Sequence, residues 1–113
     1  MSTTRMKQGD LLPVLTATLQ QRVGTAAATA IDLTTATTVK FSMRDKATGT
    51  VVLSLAAATI VNAATGAVSY SWQTGDTATA GIYEAEWQIN FGALPLTVPN
   101  GDFDEIVILD DIA

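Results

Sequence analysis

Hydrophobic and polar residues alternate with a period of two along residues 83–91. Tyr83, Ala85, Trp87, Ile89 and Phe91 take the odd positions, and Glu, Gln and Asn take the even positions between them. This period places the apolar side chains on one face of a β-strand, whereas on a helix it would scatter them around the axis. We therefore predict a central strand with one buried face and one solvated face.

The same alternation recurs in shorter segments separated by turn residues such as those at 45–49 and 62–66. Residues 21–30, rich in Ala and Thr, carry neither a helix cap nor an apolar stripe and are expected to form a loop. Strands at this spacing without a convincing helix predict an all-β sandwich. Extended segments are expected at residues 11–20, 31–34, 39–44, 51–61, 68–72, 93–98 and 103–109.

The approach to the central strand indicates a particular kind of sandwich. Asp76, Gly81, Tyr83 and Ala85 follow the order of the corner that opens a core strand in immunoglobulin-like domains. In that corner the tyrosine hydroxyl bonds to backbone upstream, and a cysteine often follows where this chain has Ala85. We predict an immunoglobulin-like antiparallel β-sandwich of about seven to eight strands, held by packing rather than by a disulfide.

The length and the N-terminal composition define the expected domain organisation. A chain of 113 residues with 48% hydrophobic residues can bury one core, so residues 10–113 are predicted to form a single domain. Residues 1–9 are polar and without a period, and we expect a flexible arm that orders against a partner. This segment lacks the apolar core of a signal peptide, so classical secretion is not expected.

Most large aromatic side chains lie at the apolar positions of their strands, which assigns them to the core. An alternative for Trp72 and Trp87 is a sugar-stacking platform on the surface. The residues predicted to be core or structural are Phe41, Tyr70, Trp72, Asp76, Tyr83, Trp87 and Phe91.

Composition excludes several kinds of chemistry. The chain has no Cys, hence no disulfide or thiol chemistry, and no His, the commonest general base and transition-metal ligand. A net charge of −5 opposes binding to a phosphate backbone, and the apolar run 51–61 is too short to cross a bilayer. We therefore expect no enzyme activity, cofactor, nucleic acid or membrane partner.

Two acidic groups offer candidate chemistry of their own. Glu84 and Glu86 lie roughly 7 Å apart along one strand face, loosely like a glycosidase carboxylate pair. A solvated strand face, with Lys40 and Arg44 as candidate ionic partners, is the simpler explanation and the one we favour. An oxygen-rich cluster at residues 100–105 could suit Ca²⁺, yet its spacing lacks the frame of an EF-hand. We expect neither catalysis nor a metal site.

Apolar residues outside the predicted core are candidates for contact with other proteins. They comprise a segment before the first alternating strand, a short segment after the central strand, and the closing strand, whose two faces are both apolar. The closing strand is therefore either central and covered within the chain, or its outer face meets another chain. The candidate interaction residues are Leu11, Leu12, Pro13, Val14, Leu94, Pro95, Leu96, Ile106 and Ile108.

An ordered set of short motifs resembles the N-terminal domain of phage baseplate upper proteins, from about Gly9 to Leu109. Early in the chain these are Gly9-Asp10 and Pro13, Asp32-Leu33-Thr34, and Val39-x-Phe41-x-Met43-Arg44-Asp45. Later ones are Asn62-Ala63-Ala64-Thr65-Gly66-x-Val68-x-Tyr70, Gly75-Asp76, Ala80-Gly81-x-Tyr83-x-Ala85-Glu86-Trp87 and Pro99-Asn100.

The resemblance implies a small immunoglobulin-like sandwich in a tailed-phage virion, assembled in the host cytoplasm, without catalytic residues. We expect a structural protein that attaches subunits to one another in the tail, baseplate or neck, with other virion proteins as partners and several symmetric copies. The sequence contains no helical or fibre-forming extension, so capsid decoration or head-fibre anchoring is an alternative. An alternative of another class is a sugar-binding or adhesion module.

Overall fold

The computed structural model describes residues 3–21, 27, 29–98, 104–110 and 112. These residues form eleven β-strands and no helix, which confirms the all-β prediction. The strands are β1 (Thr3–Lys7), β2 (Leu15–Thr18), β3 (Gln20–Gln21), β4 (Thr29–Ala30), β5 (Thr38–Asp45), β6 (Val51–Ala57), β7 (Thr59–Asn62), β8 (Ala67–Tyr70), β9 (Gly81–Phe91), β10 (Leu94–Val98) and β11 (Asp104–Leu109).

The strands are distributed over three sheets. The main sheet has the order β1-β11-β9-β5-β6, and β10 also pairs with β9. A second sheet has the order β2-β8-β7, and β3 pairs with β4 alone. The main sheet is mixed, because β1 runs parallel to β11 while its other pairings are antiparallel. The expectation of purely antiparallel pairing and of seven to eight strands is therefore corrected.

Strand β9 organises the main sheet as its alternation predicts. It pairs with β5 along one edge, and with β10 and β11 in succession along the other. Tyr83, Ala85, Trp87 and Ile89 are buried, while the residues between them are only partly buried. Phe91, at the end of the strand, is half-buried and packs against the core. The buried face of β9 therefore forms one side of the hydrophobic core.

Thr3–Lys7 form a strand, where the sequence predicted a flexible arm over residues 1–9; residues 1 and 2 lie outside the described ranges. Thr3 to Lys7 pair in parallel with Glu105 to Leu109, and Met6 is buried. The following residues are also fixed, because the Gly9 amide donates to the Thr77 carbonyl at 2.9 Å. The single buried residue in a polar strand gives no period that sequence analysis could detect.

One cluster of buried side chains joins the main sheet and the second sheet. Phe41 on β5 and Tyr70 on β8 stack with ring centroids 5.0 Å apart, which brings the two sheets into contact. Ile31 and Leu33 join this core from residues 31–37, which form turns rather than the brief strand expected there. Residues 20–21 and 29–30, at the ends of the predicted loop, pair as β3 and β4.

The turn at Gly66, between β7 and β8, packs closely against the backbone of Leu19 and Ile31. Gly66 has a φ of +77°, and a Cβ atom there would lie 2.7 Å from the Ile31 carbonyl oxygen and 2.9 Å from that of Leu19. The Leu19 amide donates to the Gly66 carbonyl at 2.8 Å. Only glycine fits this positive φ and this close approach of backbone.

Candidate interaction surface

Four aromatic rings from three strands and one loop fill the centre of the core. Trp72 lies edge-on to both Phe41 and Tyr70, with centroid distances of 6.0 and 5.4 Å, and Trp87 lies 4.8 Å from Phe41. Trp72 and Trp87 are 4% and 1% exposed. Neither ring offers a face to a sugar, so the structure places both tryptophans in the core rather than on a stacking platform.

The indole ring of Trp72 is well packed, but its N–H group is not hydrogen-bonded. Its Nε1–H is buried and has no hydrogen-bond acceptor among the described residues. A buried donor without a partner costs about 1–3 kcal/mol. Trp72 therefore acts as an apolar filler in spite of its N–H group.

Both tyrosine hydroxyls are anchored beside the core. The Tyr83 hydroxyl donates to the Thr79 carbonyl at 2.7 Å, as the predicted tyrosine corner requires. The Tyr70 hydroxyl donates to Asp76 Oδ2 at 2.6 Å, and the same oxygen accepts from the Gln73 amide at 2.7 Å. Asp76 thus has a structural role, but its partner is Tyr70, whereas the sequence placed it in the corner before Tyr83.

The surroundings of both tyrosines favour the neutral phenol. Burial, and then the hydrogen bond and charge of Asp76, raise the pKa of Tyr70 far above its ordinary value. Burial, and then the charge of Asp45, raise the pKa of Tyr83. Both groups remain protonated at neutral pH and act as hydrogen-bond donors.

The two predicted surface patches lie at opposite ends of the main sheet. Leu12 lies in the segment after β1, is joined to Pro13 by a cis peptide bond, and is 72% exposed. Leu11 and Val14 are more covered. Leu94 is 71% exposed where β10 leaves the hairpin with β9. Pro95 is also exposed, whereas Leu96 packs partly against the core. The length of β9 separates the patches, so they do not form one surface.

The closing strand is central, which is one of its two expected placements, and its buried face corrects the choice of Ile106 and Ile108 as interaction residues. Ile106 and Ile108 are 1% and 2% exposed, because β11 lies between β1 and β9 with its core face turned inward. Its opposite face presents Val107, paired with Ile82, and Leu109. Of these, Leu109 and Ile82 are exposed.

The outer face of the main sheet is charged and solvated. Arg44 on β5 binds Glu84 on β9 at 3.0 Å, and Lys46 reaches Glu105 on β11 at 3.2 Å. The register places Arg5, Lys7 and Lys40 on this same face, so it gathers the basic residues of the described part of the chain. Exposed ion pairs of this kind contribute at most about 1 kcal/mol each.

A shallow depression on that face contains the two glutamates considered as a carboxylate pair. Its volume is about 130 Å³. Glu84 already binds Arg44, and the remaining lining includes Val51 and Leu53 from β6. This geometry fits the solvated strand face predicted as the simpler explanation of the pair.

Only some of the residues considered for calcium lie within the described ranges. Asn100 and Asp102 lie outside them, as do Pro99, Gly101 and Phe103, while Glu105 binds Lys46. Within the described ranges, no three acidic side chains stand together as a metal site would require. In the same ranges, no helix has the length and apolar character of a membrane span.

Sequence analysis missed an apolar border formed by β6 and β7, which we call the β6–β7 edge. Val51, Val52, Leu55 and Val61 are 59%, 42%, 45% and 63% exposed. One stretch supplies the edge strand of both sheets, since only Ala58 separates β6 from β7. The uncharged run from residue 47 to residue 75 could have drawn attention to this border.

The backbone of the β6–β7 edge is irregular. The pairing of β6 with β5 shifts register twice, and Leu55 has a φ of +52°. The Leu55 amide donates to the Ser42 side-chain oxygen at 2.9 Å instead of to a strand carbonyl. A left-handed conformation costs a leucine about 1–2 kcal/mol. Because Leu55 is 45% exposed, the burial of its side chain within the chain offsets only part of this cost.

No protein-family model matches this sequence, and no curated protein matches it significantly. The candidate surface is therefore defined by its own geometry.

Proposed function

We propose that this chain is a non-enzymatic structural protein of a tailed-phage virion that attaches one subunit to another. Its proposed position is the tail, baseplate or neck, in several symmetric copies that contact other virion proteins. Capsid decoration and head-fibre anchoring are variants of the same role at a different site. The motif resemblance supplies the virion context of this proposal.

We further propose that the main sheet and the second sheet form an immunoglobulin-like sandwich. The stacking of Phe41 on Tyr70 supports a face-to-face arrangement, because each ring comes from a different sheet. The bond from the Tyr83 hydroxyl to the Thr79 carbonyl supports the immunoglobulin-like corner. Such a sandwich offers its borders and loops for contacts while its interior is fully used by packing.

The observation that carries the attachment role is the placement of apolar surface. The core takes in the tryptophans and tyrosines, whereas large aliphatic side chains remain exposed at the borders. Leu12 and Leu94 are 72% and 71% exposed at opposite ends of β9, and Val61 is 63% exposed on an edge strand. Apolar groups at several separate borders suit a subunit that touches more than one neighbour.

The sugar-binding alternative loses the residues that motivated it. It depended on Trp72 and Trp87 as a stacking platform, and both indoles are buried against Phe41. The adhesion alternative would therefore need another surface, and the described residues give no specific reason to prefer one.

Incorporation into particles tests the proposal. A phage that lacks the gene would be complemented with the wild-type chain, with Leu12→Asp, with Leu94→Asp, or with the exposed control Thr35→Asp. Peptide mass spectrometry of gradient-purified particles should find the wild type and the control in equal, stoichiometric amounts. At least one leucine variant should be depleted several-fold, and electron cryomicroscopy should then locate the density. Absence of the wild-type chain from purified particles would refute the proposal.

A further inference from the structure

We infer that the outer face of the main sheet binds an acidic surface of a different protein subunit. This face is the side of β1, β11, β9, β5 and β6 that is turned away from the core. Its described side chains are exposed or partly buried, and none is fully buried. The inference deepens the proposed function and rests on it, because it names the chemistry of one attachment partner.

The strand register gathers the basic side chains on this one face. On β1 and β5 the basic residues take positions adjacent to the buried ones, so they point away from the core. Lys46, just beyond β5, reaches Glu105 on the outward side of β11. Of the six basic residues in the sequence, only Arg22 lies outside the described ranges. The other five, all on the outer face, are Arg5, Lys7, Lys40, Arg44 and Lys46.

The outer face differs in charge from the rest of the chain. The register places three acidic residues among the five basic ones, Glu84, Glu86 and Glu105, so the described face carries a net charge of +2. Because the whole sequence carries −5, the remainder of it carries −7. Complementary potentials steer association and disfavour wrong partners. A positive face on an otherwise acidic molecule therefore selects an acidic partner.

Two of the basic residues are available to such a partner. Glu84 and Glu105 each have a basic partner on the face. Arg5 and Lys40, by contrast, form no salt bridge with any residue that the structure describes. A carboxylate of another subunit can bind either of them without breaking an ion pair in this chain.

The separation of these two charges requires an extended partner. Lys40 faces Gln88 on β9, whereas Arg5 faces Val107, which in turn faces Ile82 on β9. Six residues along β9 and three strand spacings therefore lie between the two basic residues. At about 3.3 Å per residue and about 4.8 Å per strand, they are roughly 25 Å apart. A small anion cannot reach both.

The face is large enough for a specific contact. Its five strands span roughly 24 Å across the sheet and, at about seven residues each, roughly 23 Å along it. The projected area is therefore about 550 Å², and the accessible area of the side chains is larger. A standard interface uses about 800 Å² from each partner. This one face can thus supply most of an interface.

Charges of both signs favour a protein over a nucleic acid. A nucleic acid presents a backbone of negative phosphates, which Glu84, Glu86 and Glu105 would repel. Ile82 and Leu109 are also 47% and 43% exposed on this face, and phosphates have no use for them. An acidic protein surface can set an occasional basic residue against Glu86 and apolar side chains against Ile82.

Pairing of two copies through this face is disfavoured by the same charges. A two-fold axis would set the positive surplus of one copy against that of the other. The remaining acidic surface of each copy would add to the repulsion. A different subunit with an acidic surface meets neither penalty.

Carbodiimide cross-linking of gradient-purified particles tests the inference, because this reagent joins a lysine amine directly to a carboxylate in contact with it. The pair Lys46–Glu105, 3.2 Å from Nζ to Oε2, is the internal reference for the reaction. Mass spectrometry should find Lys40 joined to an Asp or Glu of a different virion protein. Lys40→Arg keeps the positive charge without the amine, so it should lose this link while its incorporation stays within about twofold of the wild type.

Charge reversal tests the same contact by competition with the wild-type chain for incorporation. Lys40→Glu should be depleted about fivefold or more, and so should Arg5→Glu, which lies on an edge strand and guards against a folding defect on β5. The matched control is the double variant Thr35→Glu with Thr74→Glu, at two exposed positions off the sheet. It has the same net charge as either reversal and should stay within about twofold of the wild type.

Each result decides between the inference and the attachment role. A chain that is incorporated but whose Lys40 stays unlinked, although the Lys46–Glu105 reference has formed, overturns the inference and leaves the attachment role. Links from Lys40 only to acidic residues of this same sequence also overturn it, as does equal depletion of the control. Absence of the wild-type chain from particles refutes the attachment role and the inference with it.

Discussion

Replacing Asp76 by alanine should destabilise the fold substantially, although its carboxylate is only partly buried. Asp76 Oδ2 accepts hydrogen bonds from the Tyr70 hydroxyl at 2.6 Å and from the Gln73 amide at 2.7 Å. A hydrogen bond to a charged group contributes about 1.5–3 kcal/mol net. Because Asp76 is only partly buried, the lower end applies to each of the two bonds, and Asp76→Ala should cost about 3 kcal/mol. Domains of this size have only about 5–15 kcal/mol in total.

Urea unfolding followed by tryptophan fluorescence measures this loss, because both tryptophans are buried. With a slope of about 1.5 kcal/mol per molar urea, the midpoint should fall by roughly 2 M. Asp32→Ala is the matched control. Asp32 is exposed and accepts a hydrogen bond from the Thr34 amide at 2.9 Å within a local turn, so its loss should leave the midpoint close to that of the wild type.

A double-mutant cycle with Tyr70→Phe isolates the bond between the two side chains. Tyr70→Phe alone should cost about 1.5 kcal/mol, and the double variant little more than Asp76→Ala alone. The coupling energy should therefore be about 1.5 kcal/mol. A coupling below about 0.5 kcal/mol, or an Asp76→Ala variant as stable as the Asp32→Ala control, would refute the assignment of Asp76 as the anchor of Tyr70.

Three further predictions concern the same core and its turns. In urea unfolding, Gly66→Ala should lower the free energy of unfolding by at least about 2 kcal/mol more than Gly49→Ala. Both glycines have a positive φ, but only at Gly66 would the added Cβ meet backbone atoms. Equal losses would contradict the close approach at Gly66. Tyr83→Phe should lower the unfolding free energy by about 1 kcal/mol at neutral pH, and an unchanged midpoint would remove the tyrosine corner as a stabilising bond. The folded state raises the pKa of Tyr70. The tyrosine therefore contributes fully to stability below about pH 10, and this contribution is lost as the pH rises further. The urea midpoint of Tyr70→Phe should consequently fall less steeply at alkaline pH than that of the wild type, and parallel curves would contradict this.

The sequence was most informative where one alternating pattern matched one buried face. Along β9 the predicted faces are those of the structure, because a central strand buries every second side chain. The same pattern correctly placed Phe41, Tyr70, Trp72 and Trp87 in the core. The predicted bond from the Tyr83 hydroxyl to upstream backbone is present, to the Thr79 carbonyl, because it depends on residues only four apart in the chain.

The sequence was least informative where partners are distant in the chain. Strand β1 is held by β11. The turn after β1 is held by Thr77, whose buried hydroxyl donates to the Asp10 carbonyl at 2.9 Å. Local composition gives no sign of either contact. Ile106 and Ile108 looked available because both faces of their strand are apolar, and β1 was not expected beside it. The β6–β7 edge escaped detection because bulges break the period that would mark its exposed side.

The parallel contact between the first and last strands determines how the molecule would bear load. Thr3 faces Glu105 and Lys7 faces Leu109, so tension applied between the outer ends of these strands pulls them past each other lengthwise. All the interstrand bonds of this pair would then be strained together, whereas a hairpin pulled open from its end gives way bond by bond. Such a clamp suits a link that must transmit mechanical force without yielding.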